Sequence, residues 1–367
     1  CAHEYDNACD VDCNLCYEAR EVQHSVQHVE AVAATCTEAA VYYYSCACGE
    51  KGTQTFTSGN ALGHSWNAEK SCSRCGEYQD AELVFTKNSD NTTYTLSKYN
   101  GSASHVTIPS TYKGGKVTVI GNSAFSDCYA LTSVTIPDSI VSIDPFAFKN
   151  CVSLAEVNIP NGVRLIGRYA FENCSALTKI TVADSVTNIG YNAFSGCVNV
   201  QEIEGAAFVF QHIPYAKLQN ATITSGDISV EAFKGYSGLI SVTIGNSVTS
   251  IESSAFEDCS GLESITLPFV GASKSATDAD ALFGYIFGTA SYDGSYSATQ
   301  TYRTSGTTTT SDPFRIPTKL TTVTVTGGEI LTGAFDDCKK LQHITVPENI
   351  TSIGSYAFED CTSLTSV

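Results

Sequence analysis

The chain has 367 residues and an excess of acids, 38 against 20 basic residues, which gives a formal net charge of −18. This balance argues against nucleic-acid binding, which needs cationic side chains to displace the counterions of phosphate groups, and against a polybasic membrane anchor. No apolar run approaches the roughly 18 residues of a membrane-spanning helix, so we expect no membrane insertion by this segment. Apolar residues make up 43% of the chain, enough to bury a large core.

The sixteen cysteines divide the chain into two parts. Nine lie within 1–80, in clusters and in two CxxC pairs, an arrangement typical of metal or disulfide chemistry. The other seven follow a rhythm, since the steps from Cys128 to Cys151, Cys174 and Cys197 are 23 residues each. A fixed period between about 20 and 50 residues indicates a solenoid. We therefore predict a cysteine-rich module over 1–80 and a repeat domain over 81–367.

Two segments of the cysteine-rich module share a pattern, in which a histidine two residues before an aromatic residue is followed by a CxxC pair. Such pairs suit tetrahedral zinc, whereas a small cysteine-dense extracellular module is also the kind that disulfides stabilise, and both alternatives stay open. The candidate zinc ligands are His3, Cys13, Cys16, Cys46, Cys48, His64, Cys72 and Cys75. We expect a structural role in either case, because four protein ligands leave no open position for catalysis, and we expect no required cofactor.

Residues 82–120, with alternating stretches such as TYTLSKY and KVTVI, predict a β-rich cap over 81–120. The first full repeat, 131–153, reads LTSVTIPDSIVSIDPFAFKNCVS and aligns with 154–176, LAEVNIPNGVRLIGRYAFENCSA. Apolar residues at its fourth and sixth positions predict a strand that the following proline ends. A second short strand precedes the glycine, and the Ala-Phe-x-x-Cys run has helical spacing, which predicts about one turn of helix. The cysteine is expected to be a small buried apolar residue.

The rhythm defines the predicted segments of the repeat domain. Regular coils cover 121–199, an irregular coil covers 200–238, the repeat returns at 239–261, an insertion covers 268–319, and further regular coils follow over 320–367. A new copy begins at Leu364 just before the chain stops, and the sequence contains no methionine, so we expect a piece of a longer protein. Any anchor would then lie outside this segment.

The repeat LxxVxIPxxVxxIGxxAFxxC resembles the BspA-like (Treponema pallidum type) leucine-rich repeat of bacterial and trichomonad surface proteins, over roughly 82–367. The first sixteen residues read CxHxYDNxCDxxCNxC and are similar to units that neighbour such repeats in gut Firmicutes surface proteins. The resemblance implies an α/β repeat fold, a right-handed solenoid with short parallel strands and short helical turns. It also implies a secreted, cell-surface role in adhesion or interaction.

The insertion holds about 35 residues more than one coil needs, with aromatic residues among glycines, serines and threonines. This composition is typical of binding loops, although the same side chains would equally suit a satellite core under the loop. The candidate binding residues are Tyr285, Tyr292, Tyr296, Tyr302 and Phe314. Among them, Tyr292 and Tyr296 are expected to be the most exposed, because glycine and serines flank them.

Enzyme signatures such as HExxH, GxSxG and GxxxxGK are absent from the sequence, and we expect no catalytic activity. The favoured function is recognition of a host or neighbouring-cell macromolecule, a protein or a glycan, by a secreted monomer at the cell surface. Glycan binding through the aromatic insertion is the first alternative. The second alternative is an architectural spacer that has no ligand of its own.

Overall fold

The computed structural model describes residues 27–32, 40–45, 51–58, 62, 65, 82–303, 309–348, 350 and 352–367. Backbone contacts divide the chain into two units, one made of Cys1–Ala81 with Tyr112–Gly114 and the other of the remaining residues. In the first unit, β1 (Gln27–Val32), β2 (Ala40–Ser45) and β3 (Lys51–Ser58) form an antiparallel sheet in chain order. The eight predicted zinc ligands all lie outside the described residues, so zinc and disulfides both remain predictions for this module.

The second unit starts with short strands and then repeats a two-strand coil. Its first strands are β4 (Leu83–Lys87), β5 (Tyr94–Tyr99), β6 (His105–Thr107) and β8 (Gly115–Ile120). The short strand β7 (Thr111–Tyr112) includes Tyr112, which the division assigns to the first unit. The first coils add β9 (Ser133–Thr135), β10 (Ser142–Ile143), β11 (Glu156–Ile159), β12 (Leu165–Ile166), β13 (Lys179–Val182) and β14 (Asn188–Ile189). The later strands are β15 (Glu202–Gly205), β16 (Asn220–Ser225), β17 (Ser241–Ser247), β18 (Ser264–Leu267), β19 (Ser295–Arg303), β20 (Thr309–Pro317), β21 (Thr322–Val325) and β22 (His343–Thr345).

From the coil 154–176 onward, the first strand of each coil joins a long parallel sheet, in the order β11-β13-β15-β16-β17-β18-β21-β22, whereas β9 pairs in parallel with β6. Glu156 pairs with Lys179, one repeat further along the chain, so the register between these strands equals the 23-residue period. Alternation places Ile180 and Val182 in the core and leaves the residues between them on the solvent side. The second strands β8, β10, β12 and β14 form a separate parallel ladder. The predicted leucine-rich-repeat solenoid with parallel strands is therefore confirmed.

Columns of identical side chains fill the core between the two ladders. The rings of Phe125, Phe148, Phe171 and Phe194 stack face to face, with centroid separations of 4.9, 5.1 and 5.1 Å, and all four are fully buried. The repeat cysteines lie beside them with free thiols, and the thiol of Cys151 donates to the carbonyl oxygen of Phe125 at 3.2 Å. One coil cannot bury such a face alone, so each coil depends on its neighbours.

The predicted helical turn at Ala-Phe-x-x-Cys is wrong, because the segment forms a series of tight turns. Every second amide donates within the coil, as from Ala147 to Asp144, whereas the amides between them donate to the next coil, as from Phe148 to Ala170 at 2.7 Å. Phe146, with a φ of 60°, adopts the left-handed conformation that makes this alternation possible. Within the described residues, no helix is long and apolar enough to cross a membrane.

The segment 200–238 differs from the single irregular coil that the sequence predicts. Strands β15 and β16 both join the long sheet side by side, with β17 following β16. The segment therefore holds two short coils, one of 18 residues from Val200 and one of 21 residues from Leu218. In the first of them a 3₁₀ helix, Ala207–His212, follows the strand directly.

Candidate functional site

The first part of the insertion completes a coil of the repeat, and its second part forms a separate hairpin. Its 3₁₀ helix Phe283–Phe287 occupies the place of the Ala-Phe turn, because the amide of Phe256 donates to the Ile286 carbonyl at 2.8 Å, as its counterparts do in other coils. The ring of Phe283 then lies 5.0 Å from that of Phe335 and continues the aromatic column. The residues beyond this helix form an antiparallel hairpin of β19 and β20.

The hairpin packs against the coils through a buried polar contact. Gln300 is fully buried, and its side-chain oxygen accepts a hydrogen bond from the Gly284 amide at 2.6 Å. Its amide nitrogen donates to the carbonyl oxygen of Asp336 at 3.0 Å. The carboxylates of Asp336 and Asp337 accept from the backbone amides of Thr301 and Thr299, at 3.1 and 2.8 Å. These bonds hold β19 onto the next coil.

The structure corrects the expected exposure of three of the candidate binding residues. Phe314 is only 5% exposed and lies against Gly284, where an added Cβ would meet its ring at 2.4 Å. Tyr292 and Tyr296 are half-buried, and burial raises the pKa of both phenols. The Tyr292 hydroxyl donates to the carbonyl oxygen of Arg315 at 3.1 Å. These three side chains hold the hairpin in place because the segment has its own small core.

The remaining two candidates of the insertion do not form one surface patch with them. Tyr285 is half-buried on the 3₁₀ helix, next to the turn of the preceding coil, where the Ser254 amide donates to its carbonyl oxygen at 3.1 Å. Tyr302 lies near the end of β19, is partly exposed, and pairs in register with Thr310. A role for either ring in binding remains a prediction.

The long sheet presents a regular polar face to solvent that the sequence analysis did not single out. Two residues of each strand point outward, and their columns run in register along the solenoid. The second column is at least partly exposed throughout and consists of Thr107, Thr135, Asn158, Thr181, Glu204, Thr222, Thr243, Thr266, Thr324 and Thr345. The period-2 alternation of each repeat was the signal for these positions.

Charge divides this outer sheet face into two parts. Its N-terminal part contains Glu156, Lys179, Glu202 and Glu204, and the ammonium of Lys179 lies 2.6 Å from a Glu202 carboxylate oxygen. The hydrogen bond with Glu202 raises the pKa of Lys179. A trough of about 490 Å³ crosses this part between β9 and β13. From β16 onward the outward residues are uncharged hydroxyl, amide and histidine side chains, a composition that suits polar, extended contacts.

The described residues contain no group of three or more His, Cys, Asp or Glu side chains arranged to hold a metal ion. In the same residues the repeat thiols are buried in most coils, and burial raises the pKa of Cys259 and of Cys338. A protonated, buried thiol is a poor nucleophile and a poor metal ligand. The repeat cysteines therefore act as packing residues.

Stacked coils with parallel strands and repeated core columns define a protein of the leucine-rich-repeat class. The family model of the BspA type Leucine rich repeat region matches six copies over residues 94–216, 202–275 and 305–367. These ranges cover more than half of the sequence, and the chain belongs to this family. The similarity of its first sixteen residues to gut Firmicutes surface proteins remains a prediction.

Among solved structures, the chain is similar to a Treponema pallidum leucine-rich repeat protein at 21% identity, covering 79% of this chain and 91% of that chain with a TM-score of 0.29. A leucine rich cell surface protein of Faecalibacterium prausnitzii is 28% identical, with coverages of 79% and 75% and a TM-score of 0.36. A leucine-rich repeat protein of Bacteroides capillosus is 33% identical over 31% of this chain and 87% of that chain, with a TM-score of 0.29. No curated protein matches the chain.

Proposed function

We propose that this chain is a non-catalytic cell-surface protein that binds another protein, from a host or a neighbouring cell, through the outer sheet face. The leucine-rich-repeat family is generally non-catalytic and commonly binds proteins. A location at the cell surface agrees with the name of the Faecalibacterium prausnitzii relative. Secretion, adhesion and a monomeric state belong to the same proposal.

The observation that carries the proposal is the register of the outward columns over the eight strands of the long sheet, with the same positions paired between β6 and β9. Threonine occupies eight of the ten positions of the second column. Its β-branched side chain has few rotamers, so a partner that binds it immobilises little side-chain entropy. Parallel strands that are paired on both sides also hold these hydroxyl groups on a rigid surface, which favours a defined interface.

The experiment measures binding of the full chain to immobilised purified matrix proteins, including fibrillar collagen and laminin, by biolayer interferometry. We expect Thr243→Arg with Thr266→Arg to weaken binding at least tenfold, because two long charged side chains would stand in the neutral part of the outer sheet face. Thr187→Arg is the matched control, since Thr187 is exposed beside β14 on the other ladder. Equal affinity for the double variant and the control would refute this face as the binding surface.

The insertion is tested in parallel with Tyr285→Ala and Tyr302→Ala, the two candidates that are not anchored by the hairpin core. If these variants lose binding while the threonine variants retain it, recognition belongs to the insertion. If the parent binds no protein of the panel, the chain acts as an architectural spacer with respect to these partners.

A further inference from the structure

A cleft of about 780 Å³ opens where the first short coil interrupts the solenoid. In the regular coils a second strand and a turn follow the first strand, and the ladder of second strands ends at β14. The 18-residue coil replaces this half with the 3₁₀ helix Ala207–His212. The cleft therefore lies between the turn of the coil 177–199 and the segment 210–216, with Tyr236 at its far side. Its volume lies within the range of small-molecule sites.

The interruption leaves a backbone donor of the preceding coil without its usual acceptor. In the regular coils this amide donates to the next coil, as from Tyr169 to the Tyr191 carbonyl at 3.1 Å. The equivalent amide one repeat later is that of Asn192, which lines the cleft and is exposed. Among the described residues, no backbone carbonyl accepts from it. A ligand in the cleft would find this donor beside the side chains of Asn192 and Ser195.

Two tyrosine rings border the cleft. The ring of Tyr215 is 47% exposed and stacks on Tyr236 at a centroid distance of 3.9 Å and an angle of 8°. Tyr236 occupies the position that cysteine holds in other coils, so the substitution of that cysteine by tyrosine provides the support for Tyr215. Tyr191 is 71% exposed and contacts Tyr169 edge-on at 5.8 Å. Both rings offer a flat apolar surface and a polar hydroxyl group to a ligand.

The lining of the cleft carries no acidic or basic side chain apart from His212. Partial burial lowers the pKa of His212 and so favours the neutral imidazole. Neutral donors and acceptors come from Asn192, Ser195 and Gln211 in addition to this imidazole. The chain as a whole carries a net charge of −18, which disfavours anions. The lining offers a cation no carboxylate partner, so its hydrogen-bonding groups favour a neutral polar ligand.

We propose that this cleft binds a neutral hexopyranose unit of a glycan, with an apolar C–H face of the sugar on Tyr215 and its hydroxyl groups on Asn192, Gln211 and His212. The combination of a flat aromatic surface with neutral hydrogen-bonding groups complements the two faces and the equatorial rim of a sugar ring. This site is independent of the outer sheet face and of the insertion.

The test titrates the full chain with the neutral methyl glycosides of glucose, galactose, mannose and N-acetylglucosamine, and with a glycan array of neutral oligosaccharides. We expect at least one of these sugars to bind, and Tyr215→Ala to weaken that binding at least tenfold. Tyr191→Ala is expected to weaken sugar binding several-fold. Because Tyr191 is highly exposed, this substitution should leave the fold intact. Tyr129→Ala is the matched control, because Tyr129 is 59% exposed on an early regular coil, and its affinity should equal that of the parent.

Thermal melts of all variants separate lost binding from lost folding, and Tyr215→Phe, which retains the stacking on Tyr236, should keep most of the affinity. The proposal is overturned if no neutral sugar binds at millimolar concentration, or if both cleft variants bind sugar as the control does. The proposal is also overturned if the parent binds no sugar and the cleft variants lose binding to a matrix protein. That result would assign the cleft to a protein partner. The double threonine variant should bind sugar normally, so the failure of one proposal is distinguishable from that of the other.

Discussion

Single residues in the left-handed conformation set how the coils of this protein are joined. Phe146 and Asn150 have φ values of 60° and 61°, and Tyr169 and Asn173 repeat them in the next coil. Such a conformation costs about 1–2 kcal/mol for a residue other than glycine. In return, alternate amides donate to the neighbouring coil, and the side-chain amide of Asn173 donates to the Asn150 side-chain oxygen at 3.0 Å. A continuous helix would keep these bonds within one coil and would leave the coils less strongly joined.

The aromatic column runs through the core of the repeat domain. We expect Phe148→Ala or Phe171→Ala to lower the free energy of unfolding by about 3–5 kcal/mol, the usual cost of truncating a buried phenylalanine. Each ring is fully buried between two others, so a cavity would open in the middle of the column. Denaturant melts provide the measurement, with Val141→Ala as the control because Val141 is 47% exposed on the same repeat. A cost below about 1 kcal/mol for either phenylalanine variant would contradict this packing.

At the scale of elements, the hairpin β19–β20 is held by buried polar contacts in addition to its small apolar core. Gln300 satisfies the Gly284 amide and the Asp336 carbonyl from a fully buried position. A buried glutamine is costly unless its hydrogen bonds are made, so this contact specifies one position of the hairpin on the coil. The hairpin is therefore expected to unfold locally when the contact is removed, before the solenoid does.

Gln300→Ala tests this contact. We expect the free energy of unfolding to fall by about 1–3 kcal/mol, because the Gly284 amide would be left buried without its acceptor. Hydrogen exchange should show faster exchange confined to β19 and β20, whereas the long sheet should stay protected. Thr299→Ala is the matched control on the same strand, since the Thr299 side chain is exposed and only its backbone amide contacts Asp337. Unchanged exchange in the hairpin of the Gln300 variant would show that other contacts hold it.

The elements also show how far the sequence determines the fold. The long sheet can be predicted from the alternation of apolar and polar residues, because each of its strands buries every second residue in the core. The Ala-Phe turn cannot be predicted in the same way, because Ala-Phe-x-x-Cys has helical spacing. The left-handed residue directly before the alanine is Phe146 or Tyr169, and neither residue type is a turn signal. The second short coil had a signal that was missed, since Leu218, Ala221 and Ile223 keep the spacing of the repeat.

The binding surfaces were less predictable than the fold. Aromatic composition drew attention to the insertion, but composition does not distinguish a ring that faces solvent from one that packs under a hairpin, as Phe314 does. The cleft beside Tyr215 arises from the absence of a second strand in one coil. The absence of a strand produces no motif in the sequence. The sequence reflects it through the irregular spacing between Val200 and Leu239.

At the scale of the whole molecule, buried thiols and phenols link stability to pH. Burial raises the pKa of Cys128 to about 12 and that of Cys361 to about 11, at the two ends of the cysteine column, and raises those of Cys259 and Cys338 in its interior. The fold thus favours the protonated thiols. Below about pH 8.5 the thiols are protonated in the folded and unfolded chains alike, and this stabilisation is fully present. Above that pH only the unfolded chain releases these protons, so stability falls as the pH rises toward 11 or 12.

We therefore expect urea midpoints, measured under reducing conditions, to be constant from pH 7 to 8 and to decrease steadily from pH 9 to 11. Each fully buried thiol should contribute up to about 1.4 kcal/mol per pH unit to the slope. Cys259→Ala provides the matched comparison, because Cys259 is fully buried and its thiol donates to the Phe233 carbonyl at 3.1 Å. This variant should be less stable at pH 7 but should lose stability less steeply above pH 9, since one titrating group is gone. A parent profile that stays flat to pH 11, or equal slopes for parent and variant, would mean that the repeat thiols ionise as easily in the folded chain as in the unfolded one.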